Sequence, residues 1–203
     1  MKLPFLVSSS LGVSAVLVAT CSYAAARTSS SKNLQLVSAD ARLIQSVDTK
    51  DVAAGQLITA KLTSDVKDGE SMNLPKGTML IGKVEHVQMS KDKGPAKLSL
   101  VFDEAKLSDG KTIPVKATLL SAYPADAGSY WAPTSDSVLP NEPHFISSQE
   151  RIDQEPGTLS HVAMHSAVAS KVSGVFLSKD RDIHLKSGTQ FQIALAPSTA
   201  ASS

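Results

Sequence analysis

Two histidines four residues apart form the pair whose spacing most resembles a metal site in this 203-residue chain. On a helix, His161 and His165 would lie on one face, as two zinc ligands do. The Glu that follows the first His in a zinc-protease helix is replaced by Val162. A third ligand would have to come from His144 or His184, and no spacing fixes either. We therefore expect solvent-facing or core-edge histidines, and a metal-dependent hydrolase is the least favoured function.

The other residues with catalytic potential do not form a recognisable constellation. Ser160 precedes His161, but the sequence has no Gly-x-Ser-x-Gly turn to present a nucleophile and no glycine-rich phosphate loop. Asp180-Arg181-Asp182 lacks the Gly and Glu of a calcium-binding loop and reads better as a solvated turn. Asp103-Glu104 could act as acid and base only inside a cleft, which the sequence does not indicate. We expect no enzymatic activity and no cofactor.

Composition and charge narrow the class of protein further. Hydrophobic residues make up 42% of the chain and charged residues 19%, so one domain can bury a core. The net charge is +1, far from the basic character of a nucleic-acid binder. Aromatic residues amount to 4%, which argues against a surface for stacking sugars or bases.

Residues 1–26 have the layout of a secretory signal peptide. Lys2 is followed by the uncharged, apolar stretch 3–19, and small residues at Ala24 and Ala26 suit a cleavage site. The alternative, an uncleaved anchor, is disfavoured because the stretch is short and contains several serines. No second apolar run of spanning length follows, so we expect no transmembrane span in the mature chain.

Cys21 is the only cysteine and lies just ahead of the expected cut. Cleavage at Ala24 or Ala26 would leave a mature chain without cysteine or disulfide, which suits an oxidising compartment. In the alternative, residues 18–21 form a lipobox and Cys21 carries the lipid, although Thr20 departs from the usual small residue there. We expect a periplasmic, outer-membrane-associated or secreted protein.

From residue 34 onward, apolar and polar residues alternate with a period of two, which predicts half-buried strands. The polar stretch 27–33 reads as a flexible lead-in, and 197–203 as a disordered tail. Turn signals separate the runs at Asp68-Gly69, Gly77-Thr78, Asp109-Gly110 and Gly188-Thr189. The pattern predicts a single all-β domain over 34–196, a barrel or sandwich of short antiparallel strands.

Two local features of this pattern concern the backbone. Gly82 lies inside a strand and suggests a bulge, a sharp bend or a partner backbone that passes close by. Segments 74–80 and 185–191 share the pattern Leu-x-x-Gly-Thr-x-apolar. An internal repeat and a coincidence are both compatible with so short a match.

Residues 123–158 interrupt the alternation with five prolines, which predicts a long insertion loop. Tyr130 and Trp131 lie on it. They could anchor a partner, or they could fold back onto the barrel wall. The next segment, 159–173, suits either a short helix or another strand.

Residues 55–66 read GQLITAKLTSDV and residues 73–84 read NLPKGTMLIGKV. Together they resemble the barrel of the TrbI/VirB-type scaffold proteins of type IV secretion and conjugation machines. Asp109-Gly110 between two strands is similar to the next hairpin of that family, and Gly188-Thr189 with the final strand is similar to its last. The resemblance implies a barrel in the cell envelope.

The chain also departs from that family. The family has an inner-membrane helix and a long linker before the barrel, whereas here a signal peptide adjoins it. The family inserts an apolar helical hairpin that crosses the outer membrane, whereas the insertion 123–158 is polar and could not span. The resemblance therefore does not establish a secretion channel, and it carries over no catalytic residue.

Taken together, these features predict an exported, non-enzymatic envelope protein that acts in protein–protein assembly. Its partners would be envelope proteins or further copies of itself, bound through Tyr130, Trp131 and an exposed edge strand. The alternative is a periplasmic or secreted ligand-binding module in which the insertion forms a lid over the barrel mouth.

We predict that replacing Tyr130 and Trp131 together by alanine abolishes capture of the partner without unfolding the chain, because large aromatic side chains carry much of the energy of an interface. Pull-down and circular dichroism of the double variant would check this. Partner capture at the wild-type level would contradict the assignment.

Overall fold

The computed structural model describes residues 34–68, 72–91, 94–127, 143–146 and 151–198. Within these ranges the chain is all-β, as the sequence predicts, and contains no helix. None of the described residues belongs to a helix long and apolar enough to cross a membrane. The strands are β1 (Leu34–Leu43), β2 (Val47–Asp48), β3 (Leu57–Leu62), β4 (Val66–Asp68), β5 (Met72–Leu74), β6 (Met79–Gln88), β7 (Ala96–Lys106), β8 (Thr112–Tyr123), β9 (Pro143–Ile146), β10 (Arg151–Leu159), β11 (Val162–Ala167), β12 (Gly174–Ser178), β13 (His184–Leu185) and β14 (Gln190–Pro197).

Six antiparallel strands form a closed barrel in the order β7-β6-β3-β1-β14-β8. The β7–β8 hairpin closes the ring, with Glu104 opposite Pro114 and Lys106 opposite Thr112. Closure removes the open edges that a six-stranded sheet would otherwise present. Of the two architectures that the sequence left open, the structure is the barrel.

The barrel interior is filled by side chains. Alternate residues of each strand point inward, as in the buried pair Leu98 and Leu100 of β7. Phe102 and Phe191 meet there with ring centroids 6.2 Å apart. Phe176 comes from β12, outside the ring, and its centroid lies 6.3 Å from that of Phe191. The core is therefore one packed unit that includes a side chain from beyond the barrel wall.

Ser173 bridges the barrel wall where β7 and β8 diverge. Its N–H donates to the Leu100 carbonyl at 2.8 Å, and its carbonyl accepts from the Leu119 N–H at 2.8 Å. Its hydroxyl accepts from the Phe102 N–H at 2.9 Å. One buried residue thus satisfies backbone groups of both strands, which would be costly to leave unpaired.

Gly77-Thr78 forms a tight corner between β5 and β6. The Gly77 N–H donates to the carbonyl of Leu62, the last residue of β3, and the Leu62 N–H donates to the Thr78 carbonyl, both at 2.9 Å. Gly77 has a φ of 92°, which an L side chain rarely adopts. The corner therefore fastens the start of β6 to the end of β3.

Gly188-Thr189 forms a second corner with the same bonds between β13 and β14. The Gly188 N–H donates to the carbonyl of Leu43, the last residue of β1, at 2.7 Å. The Leu43 N–H donates to the Thr189 carbonyl at 2.8 Å. The two segments that share the Leu-x-x-Gly-Thr pattern thus build equivalent corners.

The equivalence extends beyond the corners. Val66 pairs with Leu74 in the β4–β5 hairpin, and Val47 pairs with Leu185 where β2 meets β13. Register shifts fall between Ile81 and Gly82 in β6 and between Gln192 and Ile193 in β14, at the same distance from each corner. A pseudo-twofold relation therefore links β1 to β3 and β6 to β14.

Outside the barrel, β12, β11 and β10 extend the sheet from β7. The predicted loop over 123–158 is wrong in part, because β9 lies within it and β10 begins within it. β9 pairs with the start of β1, and β10 tolerates Pro156 because its register shifts between Gln154 and Leu159. The segment 159–173 holds a strand rather than a helix, with Val162 and Met164 on its buried face.

The last strand extends one residue beyond the predicted end of the domain. β14 ends at Pro197 rather than at residue 196. Ser198, which follows, donates its N–H to the Pro114 carbonyl at 3.2 Å.

Gly82 lies where the backbone of β7 comes close to that of β6. A Cβ at this position would stand 1.9 Å from the Val101 carbonyl oxygen and 2.9 Å from the Phe102 Cα. The adjacent register shift bends β6 at the same place. The sequence offers a bulge and a close partner backbone as alternatives at this position, and the structure contains both.

We predict that Gly82→Ala lowers the free energy of unfolding by about 3 kcal/mol or more, because the added methyl group meets backbone rather than a flexible side chain. Gly110→Ala is the matched control, since only its φ of 87° is strained and nothing lies within 4 Å; we expect it to cost about 1–2 kcal/mol. Denaturant unfolding of both variants would check this. Equal losses would contradict the close approach.

Candidate functional site

A groove of about 450 Å³ lies on the outer face of the strands that extend from the barrel. Because side chains alternate along β11, Val162 and Met164 point into the core while Ala163 and His165 point outward. Leu177 of β12 stands opposite Ala163 and continues the same face. The groove is lined by Pro95, His161, Ala163, His165, Leu177, Ser178, Lys179 and Asp180.

The two candidate zinc ligands both line this groove, but not in the arrangement that a zinc site needs. His161 occupies the two-residue turn between β10 and β11, and His165 lies within β11, so the helical face imagined for them does not exist. His184 is in β13 and His144 in β9. Across the described ranges, no three His, Cys, Asp or Glu side chains are grouped so that they could hold a metal ion.

His165 is engaged by a carboxylate from the neighbouring strand. Its Nδ1 contacts Oδ1 of Asp153, and the Nε of Arg151 donates to the same oxygen at 2.9 Å. These hydrogen bonds, that of Arg151 first and that of His165 second, hold the pKa of Asp153 below its usual value. The negative charge of Asp153 is therefore matched by the Arg151 guanidinium, and its Oδ1 is also in contact with His165, at this side of the groove.

The carboxylate of Asp182 accepts hydrogen bonds from the protein's own donors and is not free to bind a cation. Its carboxylate accepts from the Ser90 N–H at 2.8 Å and from the Thr49 hydroxyl at 3.2 Å, while the Lys50 ammonium lies at 3.6 Å. The Ser90 hydrogen bond is the main reason that the pKa of Asp182 lies below its usual value. The solvated-turn interpretation of residues 180–182 is wrong for Asp182, which links three segments of chain. The nearby His184 pairs with Asp48 at 2.9 Å.

Asp40 is a half-buried carboxyl that sequence reasoning missed. It faces a cavity of about 80 Å³ that Arg42, Thr63, Tyr123 and Gln190 help to line. Burial raises its pKa to about 6. Because the charged form is disfavoured in the folded chain, its contribution to stability falls as pH rises from about 4 to 6. Asp40 belongs to no motif, and only its surroundings in the fold distinguish it.

The remaining singled-out residues have backbone roles or lie elsewhere. Asp109 accepts from the Lys111 N–H at 2.9 Å, and with Gly110 it turns β7 into β8. Asp103 and Glu104 are exposed on β7. Cys21, Tyr130 and Trp131 lie outside the described residues.

No family model matches the chain, and no curated protein matches it. Among solved structures, it is similar to ComB10 of the Com type IV secretion system of Helicobacter pylori. The identity is 14%, the match covers 82% of this chain and 89% of that one, and the TM-score is 0.36. The strand pairing described above, rather than this likeness, establishes the barrel.

We predict that Asp182→Ala lowers the free energy of unfolding by about 1–2 kcal/mol at neutral pH, because the Ser90 N–H and the Thr49 hydroxyl lose their acceptor. Since the folded pKa lies below the ordinary 3.8, this stabilisation is complete above that value and is lost as pH falls through the folded pKa. The deficit should therefore shrink in acid. Asp180→Ala is the control, because among the described residues its carboxylate contacts Arg181 alone, at 3.4 Å, and both side chains are about half exposed.

Thermal and denaturant unfolding of the two variants from pH 7 to pH 3 would measure these differences. Equal losses for both variants, or a deficit at Asp182 that does not change with pH, would contradict the role of Asp182.

Proposed function

We propose that this chain is an exported, non-enzymatic protein of the cell envelope that acts in protein–protein assembly by accepting a strand from a partner. The single observation that carries the proposal is the edge of β10. In the described part of the chain β10 pairs with β11 alone, so its other edge forms no backbone ladder with a described strand. An unpaired strand edge can add a strand from another chain through backbone hydrogen bonds.

The β10 edge contacts β8 at one point and is exposed to solvent before it. At Gln154 the side chain reaches β8, accepting from the Ala122 N–H at 2.8 Å and donating to the Ala122 carbonyl at 3.2 Å. Arg151 and Asp153 come before this anchor and are exposed. Charged residues on an edge strand oppose indiscriminate pairing, so they favour a partner strand whose charges are complementary to theirs. The part available for strand addition is therefore the stretch that begins at Arg151.

The filled interior supports assembly over the alternative of a ligand inside the barrel. Phe102, Phe176 and Phe191 occupy that space and are almost completely buried. A ligand-binding module built on this chain would have to bind outside the barrel. The motifs in 55–66 and 73–84 support a role like that of the secretion-system scaffold barrels they resemble, and the signal-peptide layout supports export.

We predict that a photo-crosslinking amino acid in place of Arg151 links the protein in living cells to an envelope protein or to a second copy of itself. The same residue in place of Lys83 is the matched control, because Lys83 is exposed on β6, whose two edges are both paired within the barrel. Mass spectrometry would identify the linked species. We expect a recurrent product from position 151 that position 83 does not give.

Equal products from both positions would contradict a role for the β10 edge. A chain that stays monomeric and unlinked in the soluble periplasmic fraction would favour the ligand-binding module instead.

A further inference from the structure

We propose that the groove on β11 and β12 binds a medium-chain fatty acid, with the alkyl chain on the groove floor and the carboxylate at its cationic rim. This inference does not depend on the assembly role, because it concerns the outer face of the extension and not the edge of β10.

The floor of the groove suits a hydrocarbon chain. Pro95, Ala163 and Leu177 supply apolar surface from three separate segments. A volume of about 450 Å³ lies within the range of about 300–1,000 Å³ typical of small-molecule sites, which are mostly apolar with a few polar groups. Burying alkyl groups there would remove apolar surface from water on both sides.

The charges around the groove favour an anionic head group, because its acids are already paired. Asp153 meets Arg151 and His165, and Asp180 lies 3.4 Å from the Arg181 Nε. A cationic ligand would find both carboxylates already engaged by side chains of the protein. Asp180, which lines the groove, and Asp153, which contacts the lining residue His165, therefore do not repel a carboxylate as strongly as unpaired acids would.

The basic groups at the groove are not paired in this way. Lys179 and His161 make no ion pair or side-chain hydrogen bond with any residue in the described ranges. Lys97 of β7 stands directly opposite Leu177, so its side chain leaves the sheet on the same face as the floor. Both side chains are exposed, so they are free to turn toward an anion bound at the rim of the groove.

The backbone at His161 gives a second reason to assign its imidazole a role. His161 is the one non-glycine residue in the described chain with a positive φ, 62°, in the turn between β10 and β11. A glycine would adopt this conformation at lower cost. The turn geometry alone does not call for a histidine, whereas an imidazole N–H at the rim can donate to a carboxylate.

The test is isothermal titration calorimetry, in which decanoate is added to the purified protein at concentrations below its critical micelle concentration. Decyltrimethylammonium has a chain of the same length with the opposite charge and serves as the matched ligand control. We expect saturable, one-to-one binding of decanoate and no saturable binding of the cation. Similar binding of both ligands would show unspecific hydrophobic contact and overturn the proposal, as would the absence of saturable binding by decanoate.

Two variants locate the site. Lys179→Gln and His161→Gly should each weaken decanoate binding by roughly 5-fold, the effect of losing one solvent-exposed charge or hydrogen bond. His161→Gly keeps a residue suited to the turn, so we expect its melting temperature to equal or exceed that of the wild type. Lys67→Gln is the control, because Lys67 is exposed on β4 and does not line the groove. Wild-type affinity in both groove variants would overturn the assignment of the site.

Discussion

The exchange of backbone hydrogen bonds between a strand end and a Gly-Thr corner is the interaction on which the barrel depends, and it occurs twice. Leu62 is fastened to Gly77-Thr78, and Leu43 to Gly188-Thr189. Each corner lets the chain leave one strand and re-enter the sheet beside it without leaving buried backbone groups unpaired. Because β1 and β3 are also neighbours, the two corners place four of the six barrel strands.

Closing a ring of six strands crowds the backbone at one place and separates two strands at another, and particular residues accommodate each distortion. Gly82 permits backbone contact between β6 and β7 that any Cβ would block. Ser173 spans the gap where β7 and β8 separate, and Phe176 follows it into the core. The β10–β12 extension is therefore part of the same folding unit as the barrel. Since the interior is packed, the binding functions proposed for the molecule lie on the extension's outer face and outer edge.

The parts of the fold that the sequence predicts are those with local signals. Alternation along β3, β6, β7 and β14 predicts strands, and Gly-Thr dipeptides predict corners, because residue 77 and residue 188 each need a positive φ. β10 is missed because Pro156 and the acidic residues around it suppress the local signal, and only pairing with β11 makes this segment a strand. The His161–His165 spacing suggests a helical face because a spacing of four fits a helix turn, although residues four apart also lie on one side of an extended strand. Asp40 is missed and Asp182 is misinterpreted for the same reason: most of the groups that surround each carboxyl come from distant segments.

Residue-resolved hydrogen exchange is the measurement that tests most directly whether two equivalent corners hold the barrel closed. The amides of Leu43 and Leu62, which donate to Thr189 and Thr78, should exchange together in the slowest class, with the free energy of global unfolding. The two values should agree because the corners open only when the whole barrel opens. Exchange of one of these amides through a local opening, much faster than the other, would contradict a barrel locked at both corners.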